Sequence, residues 1–98
     1  MEIHEIKNGN ALTLALDGRL DTMTAPKLDE ALKNLPEDVN ELTLDFEKLE
    51  YISSAGLRVL LSAQKKMQAK GCMKVLHVNE IVMEIFDVTG FCDILCIE

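Results

Sequence analysis

Two adjacent serines stand where a helix is expected to begin. Ser53 and Ser54 follow a strand-like segment, and the stretch YISSAGLRVLL at residues 51–61 continues as an apolar helical pattern from Leu57. One hydroxyl is enough to cap a helix, so the second serine is free for other chemistry. Because the positive end of a helix favours an anion, we expect the segment to accept a phosphate without unfolding. A phosphoserine adds a charge of about −1.5 to −2 and would change the surface that a partner meets.

Nucleophilic catalysis is a weaker interpretation of these serines. The sequence SSAG lacks the flanking glycine of a nucleophile elbow, and neither His4 nor His77 has an evident orienting partner in the sequence. The five glycines are scattered singly, so no phosphate-cradling loop is present. Taken alone, the segment is most simply explained by capping. We therefore predict that the protein is not an enzyme.

The cysteines and histidines do not suggest a metal centre. Cys72, Cys92 and Cys96 are an odd number of cysteines in a chain with no visible export signal, so we expect buried thiols and no disulfides. Cys92 and Cys96 have a spacing usable on one helix face, with His77 as a conceivable third ligand. A zinc site needs a fourth ligand and usually closer cysteine pairs. The sequence thus predicts no metal and no cofactor.

Composition narrows the class of protein. The chain has 98 residues, which is enough for one domain with one hydrophobic core. Its net charge of −7 opposes the phosphate-neutralising surface that nucleic-acid binding requires. No stretch of about 18 apolar residues suggests a membrane span, and no leader is visible at Met1. We expect a single domain over residues 1–98, located in the cytoplasm, without nucleic-acid or membrane partners.

The first half of the chain alternates between strand and helix patterns. Ile3 to Lys7 is a strand candidate, closed by the turn signal NGN at residues 8–10. A second strand is predicted where Leu12, Leu14 and Leu16 alternate with smaller residues. A helix follows, with Thr24 as its expected N-cap, Pro26 in its first turn and Pro36 beyond its end. Its apolar spacing comes from Leu28, Ala31, Leu32 and Leu35.

The second half repeats this alternation. ELTLDF at residues 41–46 predicts a third strand, and the helix after the serines carries an apolar stripe and stops at Gly71. CMKVLHV at residues 72–78 predicts a fourth strand. Asn79 is the expected cap of a third helix that ends at Gly90 and whose apolar residues include Ile81, Val82, Ile85 and Phe86. The last residues, FCDILCIE, fit a short helix or an edge strand equally well.

This alternation predicts an α/β fold. Strands joined by helices of roughly ten to fifteen residues require crossover connections and parallel strand pairs, whereas the opening hairpin adds an antiparallel pair. We predict a mixed, mostly parallel sheet of four to five strands with helices packed on one face.

Three segments together resemble the STAS domain, and most closely its free-standing bacterial anti-sigma factor antagonists. They are LDGRLDTMTAPKL at 16–28, LTLDFEKLEYISSAGLRVLL at 42–61 and KVLHVNEIVMEIFDVTGF at 74–91. The resemblance implies a sheet covered on one side by helices. It also implies partner switching, in which the unmodified antagonist binds an anti-sigma serine kinase and frees a sigma factor. The kinase reverses this by phosphorylating a serine, and a metal-dependent serine phosphatase restores the antagonist.

The same resemblance assigns the site residues. Aligning the family motif Asp-Ser-Ser/Thr-Gly-Leu on Gly56 and Leu57 places the phosphate acceptor at Ser54, with Ser53 as the alternative because it stands where the family usually has Asp. Asp45 matches an acidic position at the end of the third strand. The segment after the second strand and the motif itself border the partner surface in the family. The implied partner-binding residues are Asp21, Thr24, Ser53, Ala55, Gly56 and Arg58.

Two other roles stay open at this stage. STAS-like domains also serve, without phosphorylation, as structural subunits of lipid-transport complexes and stress-sensing scaffolds. An acyl carrier also bears a serine at a helix start in a small acidic protein, but its all-helical fold conflicts with the strand alternation. The expected oligomeric state is a monomer or a weak homodimer formed through an edge strand.

Overall fold

Four strands form one sheet, and their order in the sheet is their order in the chain. In the computed structural model, which describes residues 1–98, the strands are β1 (Glu2–Asn8), β2 (Ala11–Leu20), β3 (Glu41–Ile52) and β4 (Cys72–Leu76). β1 pairs antiparallel with β2, while β2 with β3 and β3 with β4 pair in parallel. The predicted mixed, mostly parallel sheet is confirmed.

Three helices connect and cover the strands. They are α1 (Ala25–Lys33), α2 (Ser54–Lys70) and α3 (Glu80–Thr89), and a 3₁₀ turn follows at Phe91–Asp93. Both parallel crossovers advance across the sheet in the same direction, so right-handed connections place α1 and α2 on the same face. α3 joins that face, since the ring centroids of Phe86 and the β3 residue Phe46 lie 6.4 Å apart. Packing of the helices on one face is therefore also confirmed.

The core lies between this sheet face and the helices. Alternate residues of the two central strands are fully buried, among them Leu14 and Leu44, while their neighbours Thr13 and Thr43 on the other face are half-buried. In total 22 apolar residues form one cluster, and no polar residue is buried. Each fully buried leucine contributes roughly 1.5–3 kcal/mol, so this alternation is one of the main sources of stabilising burial.

Three strands end at different residues from those predicted. β2 continues past Leu16 to Leu20, and β3 does not stop at Phe46 but continues to Ile52. Register shifts between β2 and β3 change the spacing of buried residues from two to three, giving Phe46, Leu49 and Ile52. A bulged strand has no strict period of two, which is why the sequence pattern ended early. β4 ends at Leu76, because His77 adopts a left-handed backbone with φ 59° and leaves the sheet.

The C-terminal segment combines both of its predicted conformations. A 3₁₀ turn at Phe91–Asp93 is followed by an isolated parallel bridge between Ile97 and Val75 of β4. The prediction of buried thiols was wrong for the cysteines of this region and of β4. Cys72 and Cys96 are exposed and Cys92 is half-buried, since they lie at the sheet edge and in the short terminal turn.

Candidate functional site

The two serines occupy different positions at the junction of β3 and α2. Ser53 has an extended backbone, and its Oγ accepts a hydrogen bond from the Gly56 amide at 3.5 Å. The Ser53 carbonyl accepts the first helical hydrogen bond, from the Leu57 amide at 2.9 Å. Ser53 is therefore the N-cap. Ser54 is the first residue of α2 and is exposed, whereas Ser53 is half-buried.

The loop between β2 and α1 is held by Asp21. Its carboxylate accepts hydrogen bonds from the amides of Met23 (2.9 Å) and Thr24 (3.1 Å). Partial burial raises the pKa of Asp21, but these amide hydrogen bonds stabilise the anion and bring the pKa below its ordinary value. Thr24 occupies the N-cap position of α1, as predicted, but its side chain accepts no hydrogen bond from the first turn of the helix. Its hydroxyl instead donates to the Arg19 carbonyl at 2.7 Å, because the chain turns back over the end of β2.

Strand pairing brings this loop and the serines together. Leu20 and Ile52 are partners in the parallel register of β2 and β3, and the Ser53 amide donates to the Leu20 carbonyl at 2.8 Å. Asp21 and Ser53 thus emerge next to each other at the carboxyl edge of the sheet, where parallel α/β sheets commonly bind their ligands. Met23 stands in the same loop with 86% of its surface exposed. Met23 was not among the predicted site residues, although an apolar residue between two threonines in a turn is a visible signal of an exposed contact.

Gly56 is needed for packing. It is buried, and a Cβ at this position would lie 2.8 Å from both Ile52 Cγ1 and Leu20 Cγ. The absence of a side chain therefore lets the first turn of α2 approach β2 and β3 closely. A buried glycine does not meet a partner directly, so its contribution to a partner surface is through the position of α2. Ala55 beside it is half-buried.

Two arginines lie near the serines in the chain or in the strand register. Arg58 is exposed on α2 and follows Ser54 by four residues, so both side chains lie on one helix face. Arg19, near the end of β2, places its guanidinium carbon 4.7 Å from the ring centroid of Tyr51 on β3. Arg58 was predicted as a partner-binding residue, whereas Arg19 was not. The strand register pairs Arg19 with Tyr51, which precedes Ser53 by two residues.

Asp45 lies within β3, away from the serine site. It precedes Ser53 by eight residues of extended strand, roughly 25 Å, so the structure does not bring it to the serines. Asp45 Oδ1 lies 2.9 Å from His77 Nδ1, which gives His77 the orienting partner that the sequence did not reveal. The separation still excludes a catalytic triad with Ser53 or Ser54.

The contact between Asp45 and His77 shifts the pKa of both side chains. Partial burial raises the pKa of Asp45, but hydrogen bonds from His77 and from the Glu47 amide lower it by more. The same hydrogen bond and the Asp45 charge raise the pKa of His77. These two residues and Glu47 bring their polar atoms within 4.8 Å of one another, as do Glu2, His4 and Asp17 on the neighbouring strands. No cysteine takes part in either group.

Comparison with known proteins places the chain in a family. The family model described as Mlab, STAS domain, matches residues 3–96. The chain belongs to the STAS domain family. Relatives of this STAS domain include the anti-sigma-B factor antagonist of Bacillus subtilis (strain 168), 30% identical over 90 residues that cover 91% of this chain and 83% of the relative. The resemblance stated from the three sequence segments is thus confirmed.

Solved structures show the same STAS fold. A crystal structure of an anti-sigma factor antagonist from Mycobacterium paratuberculosis superposes with a TM-score of 0.88 at 20% identity, covering 98% of this chain and 83% of that one. The phosphorylated form of the Bacillus cell fate determinant SpoIIAA superposes with a TM-score of 0.69 at 17% identity, covering 99% and 91%. None of the helices of this STAS domain has the length and apolar character needed to cross a bilayer.

Proposed function

We propose that this STAS domain is an anti-sigma factor antagonist switched by phosphorylation of Ser54. The unmodified form binds an anti-sigma serine kinase in the cytoplasm and so frees a sigma factor. The observation that carries this proposal is the division of roles at the helix start, where Ser53 caps α2 and leaves Ser54 exposed. The B. subtilis relative, an anti-sigma-B factor antagonist, supports the general role, which is regulatory and not enzymatic.

The kinase-binding surface is formed by the carboxyl edge of the sheet. Ser54 and Arg58 contribute from α2, and the loop from Asp21 to Thr24 contributes the exposed apolar side chain of Met23. Such a surface suits a partner that packs closely over an uncharged hydroxyl. A phosphate on Ser54 brings about two negative charges into that contact, while the amides of the α2 N-terminus stabilise it within the domain. The partner is therefore expelled without loss of the fold.

The geometry favours Ser54 over Ser53 as the acceptor. A kinase must reach the hydroxyl and position it for transfer, and Ser54 is exposed at the surface of the first helical turn. The Ser53 hydroxyl is half-buried and accepts the Gly56 amide hydrogen bond, so its modification would remove the cap. A metal-dependent serine phosphatase completes the cycle by removing the phosphate from Ser54.

The test begins with affinity capture from lysate of the native cell, with and without ATP, using wild type, Ser54→Asp and Ser54→Ala as bait. We expect wild type and Ser54→Ala to retain a small serine kinase and Ser54→Asp to lose it. The kinase is then purified and incubated with the antagonist and Mg-ATP. Mass spectrometry is expected to find phosphate on Ser54 of wild type and of Ser53→Ala, and none on Ser54→Ala.

Three results would contradict the proposal in different ways. A folded Ser54→Asp that binds the purified kinase as tightly as wild type would exclude a switch at this residue. Phosphate mapped to Ser53 would move the acceptor by one position. If wild type and Ser54→Asp both retain the same membrane-transport or scaffold proteins and no kinase, the domain is an unphosphorylated structural subunit.

A further inference from the structure

Helix α3 carries an apolar stripe that the domain covers only in part. The helix buries Val82 and Phe86 against the core. Ile81, Ile85 and Val88, spaced by four and three residues, lie together on a different face. Ile81 is 57% exposed and Val88 is 84% exposed, with Ile85 half-buried between them. We call these three residues the α3 stripe. The sequence pattern grouped Ile81 with the buried pair, and the structure shows that it is exposed.

The chain segment that carries the stripe contains acidic residues and no basic ones. Residues 78–98 carry five of the 17 acidic residues of the chain and none of its ten lysines and arginines or its two histidines. Three of these acids, Glu80, Glu84 and Asp87, are exposed and form a row beside the stripe, and Asp93 follows in the next turn. None of them forms a salt bridge within the domain. The stripe therefore has an uncompensated negative border.

This charge distribution restricts what can cover the stripe. A second copy of the chain would place one row of carboxylates against another, and like charges across an interface oppose association. Anionic lipid surfaces and nucleic acid are repelled for the same reason. An amphipathic helix with apolar residues at the same spacing and lysine or arginine beside them would match both the apolar contacts and the charges.

We propose that the α3 stripe is a docking surface for a basic amphipathic helical segment of another protein. This surface is independent of the Ser54 switch, since none of the residues assigned to that site lies on α3. The apolar stripe supplies the anchoring contacts, and the acidic row orients the partner and accelerates its association. Because three side chains form a small contact, the expected affinity is micromolar and falls as salt screens the acidic row.

The experiment uses the full chain and a 14-residue helical peptide of leucine and lysine as the probe. Amide shifts in a ¹⁵N spectrum are followed during titration and are expected to saturate with the largest changes at residues 80–94. A peptide with the same leucines but glutamate in place of lysine is expected not to bind. A peptide with the same lysines but serine in place of leucine is expected to bind at least tenfold more weakly.

Val88→Asp separates docking from plain charge attraction. Val88 is almost fully exposed, so the variant is expected to fold, which circular dichroism verifies. If the stripe anchors the peptide, Val88→Asp weakens binding at least tenfold, whereas the matched control Ile6→Asp, at an exposed apolar residue of β1, leaves it unchanged. Binding by Val88→Asp that equals or exceeds wild type would overturn the proposal. So would shifts spread over the whole surface, or self-association of wild type that Val88→Asp abolishes.

Discussion

The backbone amide of Ser53 donates a hydrogen bond to the carbonyl oxygen of Leu20 at 2.8 Å. This bond continues the pairing of β2 with β3 one residue beyond Ile52, so the start of α2 and the loop that begins at Asp21 are fixed to each other. A charge added at Ser54 therefore acts on a preformed surface that includes both segments. The switch we propose needs no rearrangement of the domain.

The two serines should differ in their effect on stability. Ser53→Ala removes the hydroxyl that caps α2, and we expect it to lower the free energy of unfolding by about 0.5–1 kcal/mol, since the hydrogen bond to the Gly56 amide is long. Ser54→Ala changes an exposed residue and should stay within about 0.5 kcal/mol of wild type. Urea denaturation of both variants measures the difference. Equal losses would show that Ser54 shares the capping role.

Gly56→Ala should destabilise the domain although alanine is the better helix former. The new methyl group would lie 2.8 Å from side-chain carbons of Leu20 and Ile52, both fully buried. Overpacking of this kind typically costs about 1–3 kcal/mol, which exceeds the gain in helix propensity. Ser62→Ala, at an exposed position of the same helix, is the control and should stay within about 0.5 kcal/mol of wild type. Chemical denaturation that finds Gly56→Ala as stable as wild type would refute the packing role.

Asn79 should be the most costly of the helix caps to remove. Its Oδ1 accepts from the Val82 amide at 2.8 Å, and its Nδ2 donates to the Leu49 carbonyl of β3 at 2.8 Å. Asn79→Ala loses the cap and the link to the sheet, together worth about 2 kcal/mol. Asn79→Asp keeps the acceptor and should lose less. Denaturation curves in which the two variants coincide would show that the cap contributes nothing, and an Asn79→Asp variant as stable as wild type would show that the link to Leu49 does not matter.

The pair of Asp45 and His77 should make the free energy of unfolding depend on pH. The pair stabilises the domain most between the lowered pKa of Asp45 and the raised pKa of His77. The pKa of His77 is raised above its ordinary value of 6.5, so its contribution is complete below that value and is lost as pH rises through the raised pKa. The pKa of Asp45 is lowered, so its contribution is present above the unfolded pKa and is lost as pH falls through the folded one.

An NMR titration of the imidazole tests this pair directly. We expect the His77 resonances to report a pKa above 6.5 in wild type, and a lower one in Asp45→Asn, where the partner has no charge. The difference in stability between wild type and His77→Gln should shrink as pH rises past the His77 pKa. An unchanged His77 pKa in Asp45→Asn would mean that the 2.9 Å contact does not persist in solution.

The sequence was sufficient for the fold because its signals were local. The alternation of leucines gave the faces of β2 and β3, and the cap of α3 at Asn79 and the left-handed Gly90 at its end have characteristic residue types. The helix start at Ser53 and Ser54 was found for the same reason. Each of these features depends on residues that are close in the chain.

What the sequence missed depends on contacts between distant segments. The role of Gly56 follows from its closeness to Leu20 and Ile52, and β3 continues past Phe46 only because register shifts against β2 accommodate it. Thr24 occupies the N-cap position that its residue type predicts, but only the turn over the end of β2 shows that its hydroxyl donates to the Arg19 carbonyl and does not cap the helix.

The sheet order has a consequence for how the chain folds as it leaves the ribosome. Each strand pairs with the strand that precedes it in the chain, so it joins a sheet edge that has already been synthesised. No strand has to insert between two others. Assembly from the amino terminus can proceed until β4 presents its outer edge. That edge is then covered at Val75, whose amide donates to the Cys96 carbonyl and whose carbonyl accepts from the Glu98 amide. Synthesis that stalls before Cys96 would leave this edge open to pairing with another nascent chain.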